Sequence, residues 1–334
     1  MLKINLCVAL LIVSTITTGL NVWRQEAFEY NKKLGVGVNL GNALEAPREG
    51  AWGMRIQDDY FPAIKQRGFN HVRIPIRWST HCQKEQPYTI EEEFFKRVEH
   101  VVNKALENDL LVVINIHHFE ELYQDPLRYK EMFLALWRQI AKRFKDYPWQ
   151  LSFEIFNEPA QAFTPSIWND FVRETLKVIR ELNPSRIVII DAPNWGHWSA
   201  VELLSIPEDE NIIVSFHYYE PFNFTHQGAE WVSPIPPVGT RWQGTKAQVN
   251  EIEKHFRAVN NWSIKNNVPI YLGEFGAYSK ADMESRVNWT KVVSQLAQKY
   301  GFSIAYWEFG AGFGIYDRSK GEWIEPLAEA VFGR

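Results

Sequence analysis

The chain has 334 residues, of which 46% are hydrophobic and 23% are charged, so it holds enough apolar material for one large globular domain and is not a predominantly disordered protein. Its formal net charge is −4, and because no basic residues cluster into a stripe, nucleic acid is not expected as a partner. Aromatic residues make up 14% of the sequence and include 14 Trp. Aromatic rings stack on the apolar faces of sugars and also fill large cores, so composition alone leaves both uses open.

The beginning of the chain differs in composition from the rest. Lys3 precedes an apolar run, Leu6–Val13, which small and hydroxylated residues follow. This pattern predicts a secretory signal peptide over residues 1–19 and a secreted mature protein with no stable membrane association. A membrane anchor is the alternative, but it needs about 20 strongly apolar residues. Because Cys7 lies within this segment, the mature chain would keep only Cys82, which excludes an internal disulfide.

From residue 22 to residue 334 the sequence predicts one domain in which strands and helices alternate. Amphipathic stretches with helical spacing include Glu92–Glu107 and Tyr129–Phe144. They separate eight short apolar runs that predict strands: Leu34–Leu40, Asn70–Ile76, Leu110–Ile116, Leu151–Asn157, Arg186–Asp191, Ile212–Tyr219, Val268–Phe275 and Phe302–Glu308. Eight strands separated by helices are typical of a closed parallel (β/α)8 TIM barrel. An open doubly wound sheet is less favoured, because Gly41–Glu45 after the first strand lacks the phosphate-binding glycine fingerprint.

Polar residues occupy the ends of the predicted strands. In such a barrel the reactive groups lie at the carboxyl ends of the strands. The polar positions are Arg73 on the second strand, His117 and His118 after the third, Asn157 and Glu158 after the fourth, His217 and Tyr219 on the sixth, Glu274 on the seventh, and Trp307 and Glu308 on the eighth.

Glu158 and Glu274 are the two strand-end carboxylates expected to face each other across the barrel mouth. Cleavage of a glycosidic bond needs one protonated and one ionised carboxyl group, and a separation of about 5–5.5 Å gives retention of configuration. Pro159 is expected to hold Glu158 in an extended conformation. For a single glutamate, a salt bridge to a neighbouring loop would be the simpler interpretation. The pair, within a ring of His, Tyr, Asn and Trp, favours catalysis.

Arg73 lies within an apolar strand, where an unpaired guanidinium is costly, so a carboxylate partner is expected. As the partner of Arg73, Glu274 is favoured over Glu154, and contact of Arg73 with both is also open. Against Glu274, the guanidinium would depress the carboxyl pKa and keep the group ionised. His117 and His118 suggest a metal site, but adjacent residues of a strand point to opposite faces, so we expect no metal and favour hydrogen bonding as their role. A core position for one of the two is the alternative.

Two aromatic residues are expected beside the carboxylates. Tyr219, on the same face of its strand as His217, could donate a hydrogen bond to Glu274, and Trp307 would offer a flat surface to the sugar at the cleavage point. Packing in the core is the alternative for each of the two.

Seven segments of the chain resemble glycoside hydrolase family 5. They are Asn39–Glu45, His71–Pro75, Ile114–His118, Phe153–Pro159, His217–Tyr219, Gly273–Gly276 and Ala305–Glu308. The resemblance covers the whole chain after the predicted signal peptide. Within the family, the chain is most similar to thermophilic bacterial endoglucanases that also accept mannans, through Asn42–Pro47, Arg77–His81 and Phe224–Trp231.

This resemblance implies an endo-acting retaining hydrolase without a metal or other cofactor. Glu158 would be the acid/base, Glu274 the nucleophile, and Asn157 the residue on the sugar 2-hydroxyl. Further substrate contacts are implied for Asn42, Glu45, His117, His118, His226, Trp231, Trp307 and Phe313.

The expected partner is a β-1,4-linked polysaccharide such as cellulose, mixed-linkage glucan or glucomannan, and the expected state is a monomer. A β-1,4-mannanase is the alternative within the family, since the orientation of one hydroxyl changes binding by only a few kcal/mol. A non-catalytic carbohydrate-binding barrel is a remote alternative.

Overall fold

The computed structural model describes residues 24–334, so the predicted signal peptide at residues 1–19 lies outside the described residues. Eight parallel strands close into a barrel in chain order, each paired with its neighbours and the eighth with the first. The strands are β1 Val36–Asn39, β2 His71–Ile74, β3 Leu111–Asn115, β4 Leu151–Glu154, β5 Val188–Asp191, β6 Ile212–Tyr218, β7 Ile270–Phe275 and β8 Ser303–Tyr306. The predicted (β/α)8 barrel is therefore confirmed, and the open doubly wound sheet is excluded.

Helices lie between the strands along the chain, and the longer ones pack around the outside of the barrel. They are α1 Gln25–Leu34, α2 Tyr60–Arg67, α3 Glu92–Glu107, α4 Glu120–Gln124, α5 Pro126–Arg143, α6 Pro165–Arg180, α7 Pro193–Gly196, α8 Phe222–Thr225, α9 Lys246–Asn266, α10 Met283–Lys299 and α11 Glu325–Val331. Short 3-10 turns span Trp78–Thr80 and Trp198–Leu203, and a small antiparallel ribbon pairs β9 Tyr316–Asp317 with β10 Glu322–Trp323. Among residues 24–334, no helix is both long and apolar enough to cross a membrane.

The two helices predicted from amphipathic spacing are present. α3 has the predicted bounds, whereas α5 begins three residues earlier than the predicted Tyr129. Asp125 causes this early start, because its side chain accepts a hydrogen bond from the Arg128 N–H at 3.2 Å, and Pro126 fits the first turn. The cap thus sets the start of the helix at a position that precedes the first residue of its apolar repeat.

α1 closes the amino-terminal end of the barrel. Leu34 is fully buried beneath the strands, the Asn31 amide donates to the Ile270 carbonyl at 3.0 Å, and the Tyr30 hydroxyl donates to the Gln150 carbonyl at 3.0 Å. The opposite, carboxyl end of the barrel carries the long connecting loops. These loops and the last residues of the strands form the candidate site that the sequence predicts.

Close packing inside the barrel depends on a glycine of β1. A Cβ atom at Gly37 would lie 2.2 Å from the ring of His71, which neighbours it on β2. Burial lowers the pKa of His71 to about 4, so the ring is neutral. It lies 2.7 Å from the Leu34 carbonyl and 2.9 Å from the Tyr271 hydroxyl, and these contacts fix its position.

We expect Gly37→Ala to destabilise the fold by about 1–3 kcal/mol, the usual cost of overpacking a core. Chemical denaturation measures the change. The matched control is the double variant Gly37→Ala with His71→Ala, in which the space of the ring is free. If the clash is the cause, the double variant loses less stability than the sum of the two single variants; strict additivity would contradict it.

Candidate active site

Arg73 lies at the centre of the polar ring at the carboxyl end of the barrel. This β2 side chain is fully buried and forms a two-bond ion pair with Glu154, with both nitrogen–oxygen distances at 2.6 Å. Its Nη1 donates to Glu274 Oε1 at 2.7 Å and to Asn39 Oδ1 at 2.8 Å, and its Nη2 donates to Asn157 Oδ1 at 2.8 Å. Of the two partners weighed from the sequence, Arg73 therefore contacts both.

The charge of Arg73 controls the ionisation of its neighbour on β4. Burial raises the pKa of Glu154, but the charge and hydrogen bonds of Arg73 outweigh burial, and the pKa lies below its ordinary value. Burial likewise opposes the charge on Arg73, whose pKa Glu154 and Glu274 hold well above its ordinary value. The pair is therefore fully ionised, which is how a buried guanidinium is normally stabilised.

Glu158 sits just beyond β4 with its carboxyl group against His217. Its Oε1 lies 2.7 Å from Nδ1 of His217. Burial raises the pKa of Glu158 to about 8; Arg73 opposes this and the charge of Glu154 adds to it. At neutral pH Glu158 is thus a protonated carboxylic acid, a group that can donate a proton.

The predicted extended conformation of Glu158 is wrong. Its φ is 52°, in the left-handed region that few residues other than glycine occupy. The backbone N–H of Glu158 donates to Asp191 Oδ2 at 3.1 Å, and this tertiary contact outweighs the preference imposed by Pro159. Strain of this kind is typical of functional sites, where surrounding contacts fix an unfavourable backbone.

Glu274, near the end of β7, is buried and held at both carboxyl oxygens. Arg73 donates to Oε1, and the Tyr219 hydroxyl donates to Oε2 at 2.8 Å. Burial raises the pKa of Glu274 above its ordinary value, although His217, Arg73 and the Tyr219 hydroxyl act in the opposite direction. The expected depression of this pKa by Arg73 is therefore wrong in net direction, because the energetic penalty of burial is larger.

His217 lies between the two carboxyl groups. One oxygen of Glu158, one oxygen of Glu274 and a ring nitrogen of His217 all lie within 4.8 Å of one another. The β6–β7 register shifts between Phe216 and His217, an irregularity that redirects side chains beside the site. Burial lowers the pKa of His217 to about 4, so the ring is neutral and acts by hydrogen bonding.

Carboxylates and His217 are close enough to form two possible cation sites, Glu158–His217–Glu274 and Glu154–His217–Asp191. Arg73 bonds directly to Glu154 and Glu274 and already places a positive charge there. A second cation would be repelled at this distance. The donor set therefore fits a guanidinium better than a metal ion.

His117, His118 and Trp307 form one wall of the cleft. The His117 ring is parallel to the Trp307 indole, with centroids 5.7 Å apart and an interplanar angle of 6°. The expectation that His117 and His118 point to opposite faces is wrong, since β3 ends at Asn115 and the two rings meet edge to face at 4.7 Å. Burial lowers the pKa of both histidines, of His118 to about 4, so both rings are neutral.

Two glycines hold Trp307 in place. A Cβ atom at Gly276 would lie 2.1 Å from the Trp307 carbonyl oxygen, and one at Gly41 would lie 2.9 Å from the edge of the indole. Backbone packs directly against this residue on both sides. The indole is therefore fixed as a half-buried surface at the barrel mouth.

A second group of rings beside Tyr219 consists of His226, Trp231 and Phe313. The ring of His226 lies 4.9 Å from Tyr219 and 5.5 Å from Phe313, and Trp231 lies 6.3 Å from Phe313. Trp231 is 60% exposed, whereas Phe313 is buried. Only Trp231 of these three offers a large free surface to a ligand.

Asn42 and Glu45 lie in the loop after β1 and differ in their access to the cleft. Asn42 is half-buried, with φ at 62°. Glu45 is buried, and its carboxyl group accepts hydrogen bonds from the backbone N–H groups of Asn42 and Ala43. In this geometry Glu45 shapes the loop that presents Asn42.

Sequence reasoning missed Asp191, the last residue of β5. It is fully buried, accepts the Glu158 N–H bond and has Oδ2 3.7 Å from Nε2 of His217. Burial raises its pKa well above the ordinary value. Its position at the end of a predicted strand could have identified it as a site residue, as the same position did for Glu158 and Glu274.

Two exposed tryptophans at the barrel mouth were also missed. Trp195 is 49% exposed, stacks on Tyr123 at 5.2 Å, and follows Asn194 with both residues in the left-handed region. Trp52 is 42% exposed and meets the His118 ring at 5.6 Å. Nothing in the local sequence distinguishes these residues from tryptophans of the core.

The Arg73 network gives a prediction about stability. Arg73→Met should lower the free energy of unfolding by about 3–5 kcal/mol, because the charge of Glu154 is left buried without its cation and keeps only the hydrogen bond from the Asn115 amide at 3.2 Å. Urea denaturation measures the loss. Arg67→Met is the control, since its ion pairs with Glu325 and Glu329 lie near the surface and contribute little. Equal stability of the Arg73→Met protein and the parent would contradict the prediction.

Comparisons with known proteins agree on one family. The sequence profile of the cellulase family, glycosyl hydrolase family 5, matches residues 29–312. Endoglucanase H of Acetivibrio thermocellus is 40% identical over 314 residues, which is 92% of this chain and 34% of the relative. The cellulase/esterase CelE of the same organism is 32% identical over 85% of this chain and 36% of the relative. The chain thus spans about a third of the length of these two relatives.

Solved structures match over nearly their whole length. A structure described as an endoglucanase is 64% identical with a TM-score of 0.92, covering 92% of this chain and 100% of the other. A mannotriose complex of Thermotoga maritima Cel5A is 52% identical with a TM-score of 0.90, covering 91% and 99%. The barrel, the polar ring at its mouth and these matches together show that the chain belongs to glycosyl hydrolase family 5, the cellulase family.

Proposed function

We propose that the chain is an endo-acting retaining hydrolase of β-1,4-linked glucans, with Glu158 as acid/base and Glu274 as nucleophile. The observation that carries this proposal is the distance between the two carboxyl groups, whose nearest oxygens lie within 4.8 Å. Inverting enzymes need about 6.5–9.5 Å to hold a water molecule between their carboxyl groups, whereas retaining enzymes need about 5–5.5 Å. The short separation therefore favours direct attack by a carboxylate.

The reaction proceeds in two displacements. In the first, Glu274 attacks the anomeric carbon and forms an ester bond to it, while Glu158 gives its proton to the departing glycosidic oxygen. In the second, Glu158 takes a proton from water, the water oxygen bonds to the anomeric carbon, and the ester to Glu274 breaks. Each carboxyl group returns to its starting protonation state.

The surroundings of each carboxyl group suit these roles. Glu158, with a pKa near 8, holds a proton at neutral pH, whereas Arg73 and Tyr219 bind the Glu274 carboxylate and keep it oriented for attack. Once Glu274 is esterified, Glu158 faces one negative charge fewer. Its pKa then falls, and the same group becomes a base.

The remaining site residues are assigned to substrate binding or support. We assign Asn157 to the sugar 2-hydroxyl and Trp307 to the face of the sugar ring at the cleavage point. Further contacts are proposed for Asn42, Glu45, His117, His118, His226, Trp231 and Phe313, with Arg73, His217 and Tyr219 as support for the carboxylates.

Glucan is favoured as substrate because the relatives are named endoglucanases, and mannan is a second candidate because Thermotoga maritima Cel5A has a mannotriose complex. Relative rates on carboxymethyl-cellulose, barley β-glucan and mannan separate the two substrates. A non-catalytic barrel would hydrolyse none of them.

We further infer that residues 1–19 direct export, and that a monomer acts outside the cytoplasm.

Azide rescue tests the two roles separately. Glu274→Ala and Glu158→Ala should each reduce the rate on β-glucan by at least about 10²- to 10⁴-fold. With an activated aryl cellobioside, azide should restore turnover of both variants. The Glu274→Ala product should be the α-glycosyl azide, because azide enters from the face that the nucleophile occupied, and the Glu158→Ala product should be the β-anomer.

Glu220→Ala is the matched control, since Glu220 also follows a barrel strand but pairs with His197 at 3.5 Å. It should retain most activity. The same azide anomer from both variants, or near-parental hydrolysis by Glu274→Ala, would contradict the assignment.

The pH dependence of kcat/KM follows from the raised pKa of Glu158. The first displacement needs its proton, so activity on β-glucan should fall as pH rises through about 8. A 2,4-dinitrophenyl cellobioside is the control substrate, because its leaving group departs without protonation and its alkaline decline should be much weaker. An alkaline limb below about pH 6 on β-glucan would be inconsistent with Glu158 as the acid.

A further inference from the structure

Asp191, the last residue of β5, contacts the backbone of the proposed acid/base and has no part in the two displacements. Its Oδ2 accepts the hydrogen bond from the Glu158 N–H at 3.1 Å. Glu158 has φ at 52°, and such a backbone persists only where surrounding contacts hold it. Asp191 therefore supplies a contact that fixes the point from which the Glu158 side chain extends.

Asp191 is itself anchored to the barrel and to the helix layer. The Trp168 indole, on α6, donates to the Asp191 carbonyl at 2.8 Å. Asp191 is paired with Ser215 in the β5–β6 register, and the next residue, Ala192, donates its N–H to the Ser215 carbonyl at 2.8 Å. The carboxyl group that binds Glu158 thus stands on a strand and not on a loop.

The other end of Glu158, its carboxyl group, lies against His217. The distance from Glu158 Oε1 to Nδ1 of His217 is 2.7 Å. A Cβ atom at Gly196 would lie 3.0 Å from the His217 ring, and one at Gly273 would lie 3.1 Å from Nε2. Backbone therefore packs against the ring on two sides, and Asp191 Oδ2 lies 3.7 Å from Nε2. The ring has no room to swing.

These contacts fix Glu158 at two points, the backbone N–H and one carboxyl oxygen. The Glu158 side chain is still 21% exposed, so its carboxyl group faces the cleft, where a change in the backbone of residue 158 would turn it. Proton transfer depends strongly on such geometry, since a displacement of about 1 Å can reduce a rate by about 100-fold. The hydrogen bond to Asp191 is thus a contact on which the rate depends.

We propose that Asp191 is a positioning residue for general acid catalysis, which keeps the Glu158 carboxyl group in line with the glycosidic oxygen by holding the Glu158 N–H. The inference rests on the proposed function, in which Glu158 is the acid. Burial, with the charge of Glu154 added, raises the pKa of Asp191 well above its ordinary value. The group is therefore neutral at pH 7 and acts as a hydrogen-bond acceptor, without a charge.

The leaving group of the substrate separates this role from a purely structural one. Asp191→Ala should lower kcat/KM on barley β-glucan by about 10- to 100-fold, with little change in KM. On 2,4-dinitrophenyl cellobioside, whose leaving group departs without protonation, kcat/KM should stay within about 3-fold of the parent. Across a series of aryl cellobiosides, the variant should show a steeper dependence of kcat/KM on the pKa of the leaving group.

Two further variants complete the test. Asp191→Asn keeps a neutral side chain with an oxygen that accepts the Glu158 N–H, so it should retain most activity on β-glucan. Asp125→Ala is the matched control, because Asp125 also accepts a backbone N–H, that of Arg128 at 3.2 Å, and it should match the parent on both substrates. Asp191→Val, whose β-branched side chain suits a strand, takes the place of Asp191→Ala if that protein does not fold.

Equal losses on the two substrates would show a structural role for Asp191 and overturn the proposal. Parental kcat/KM of Asp191→Ala on β-glucan, or an Asp191→Asn protein as impaired as Asp191→Ala, would also overturn it. Glu158→Ala, assayed in parallel, keeps the two proposals apart. A loss confined to β-glucan in Glu158→Ala but absent from Asp191→Ala rejects the positioning role alone, whereas equal rates of Glu158→Ala and the parent on both substrates reject the proposed function.

Discussion

The candidate active site depends on one buried guanidinium. Arg73 joins Asn39 at the end of β1, Glu154 of β4 and Glu274 of β7 to its own strand, β2. These strands lie on different sides of the barrel, so the network is complete only when the barrel is closed. The complete network therefore exists only in the folded domain, where the carboxylates paired with Arg73 offset part of the cost of burying its charge.

Around this fixed positive charge, the other titratable groups adjust their protonation. Burial keeps His117, His118 and His217 neutral, and it favours a proton on Glu158. Glu154 remains ionised because it shares two hydrogen bonds with Arg73. Two carboxyl groups of the same chemical type thus reach different protonation states, because Glu154 bonds directly to the cation whereas Glu158 contacts the neutral ring of His217.

The sequence predicted what depends on local patterns. Apolar runs located all eight strands, and amphipathic spacing located α3 and α5, because burial imposes a period on the residues themselves. Strand ends directed attention to Glu158 and Glu274. The parity of side chains along a strand made Glu154 a reasonable second partner for Arg73, as the structure now bears out.

The predictions that proved wrong concern features that depend on contacts between distant parts of the chain. The left-handed backbone of Glu158 follows from Asp191 on the next strand, and the contact between His117 and His118 follows from where β3 ends. The net pKa of Glu274 is a difference between burial and opposing charges, and no sequence pattern weighs these against each other. Asp191 also lies at the end of a predicted strand, but nothing in the sequence separated it from the other carboxylates of the chain.

The packing around Trp307 limits how this scaffold can change. Backbone at Gly276 and Gly41 leaves no room for a side chain beside that residue, so its position tolerates neither larger neighbours nor a shifted ring. Trp52 and Trp231 lie on loops, Trp195 lies in the irregular α7 segment, and at least two-fifths of each side chain is exposed. Substitutions that change the shape of this cleft are therefore expected to be tolerated at its rim, where these three indoles lie, and not beside Trp307.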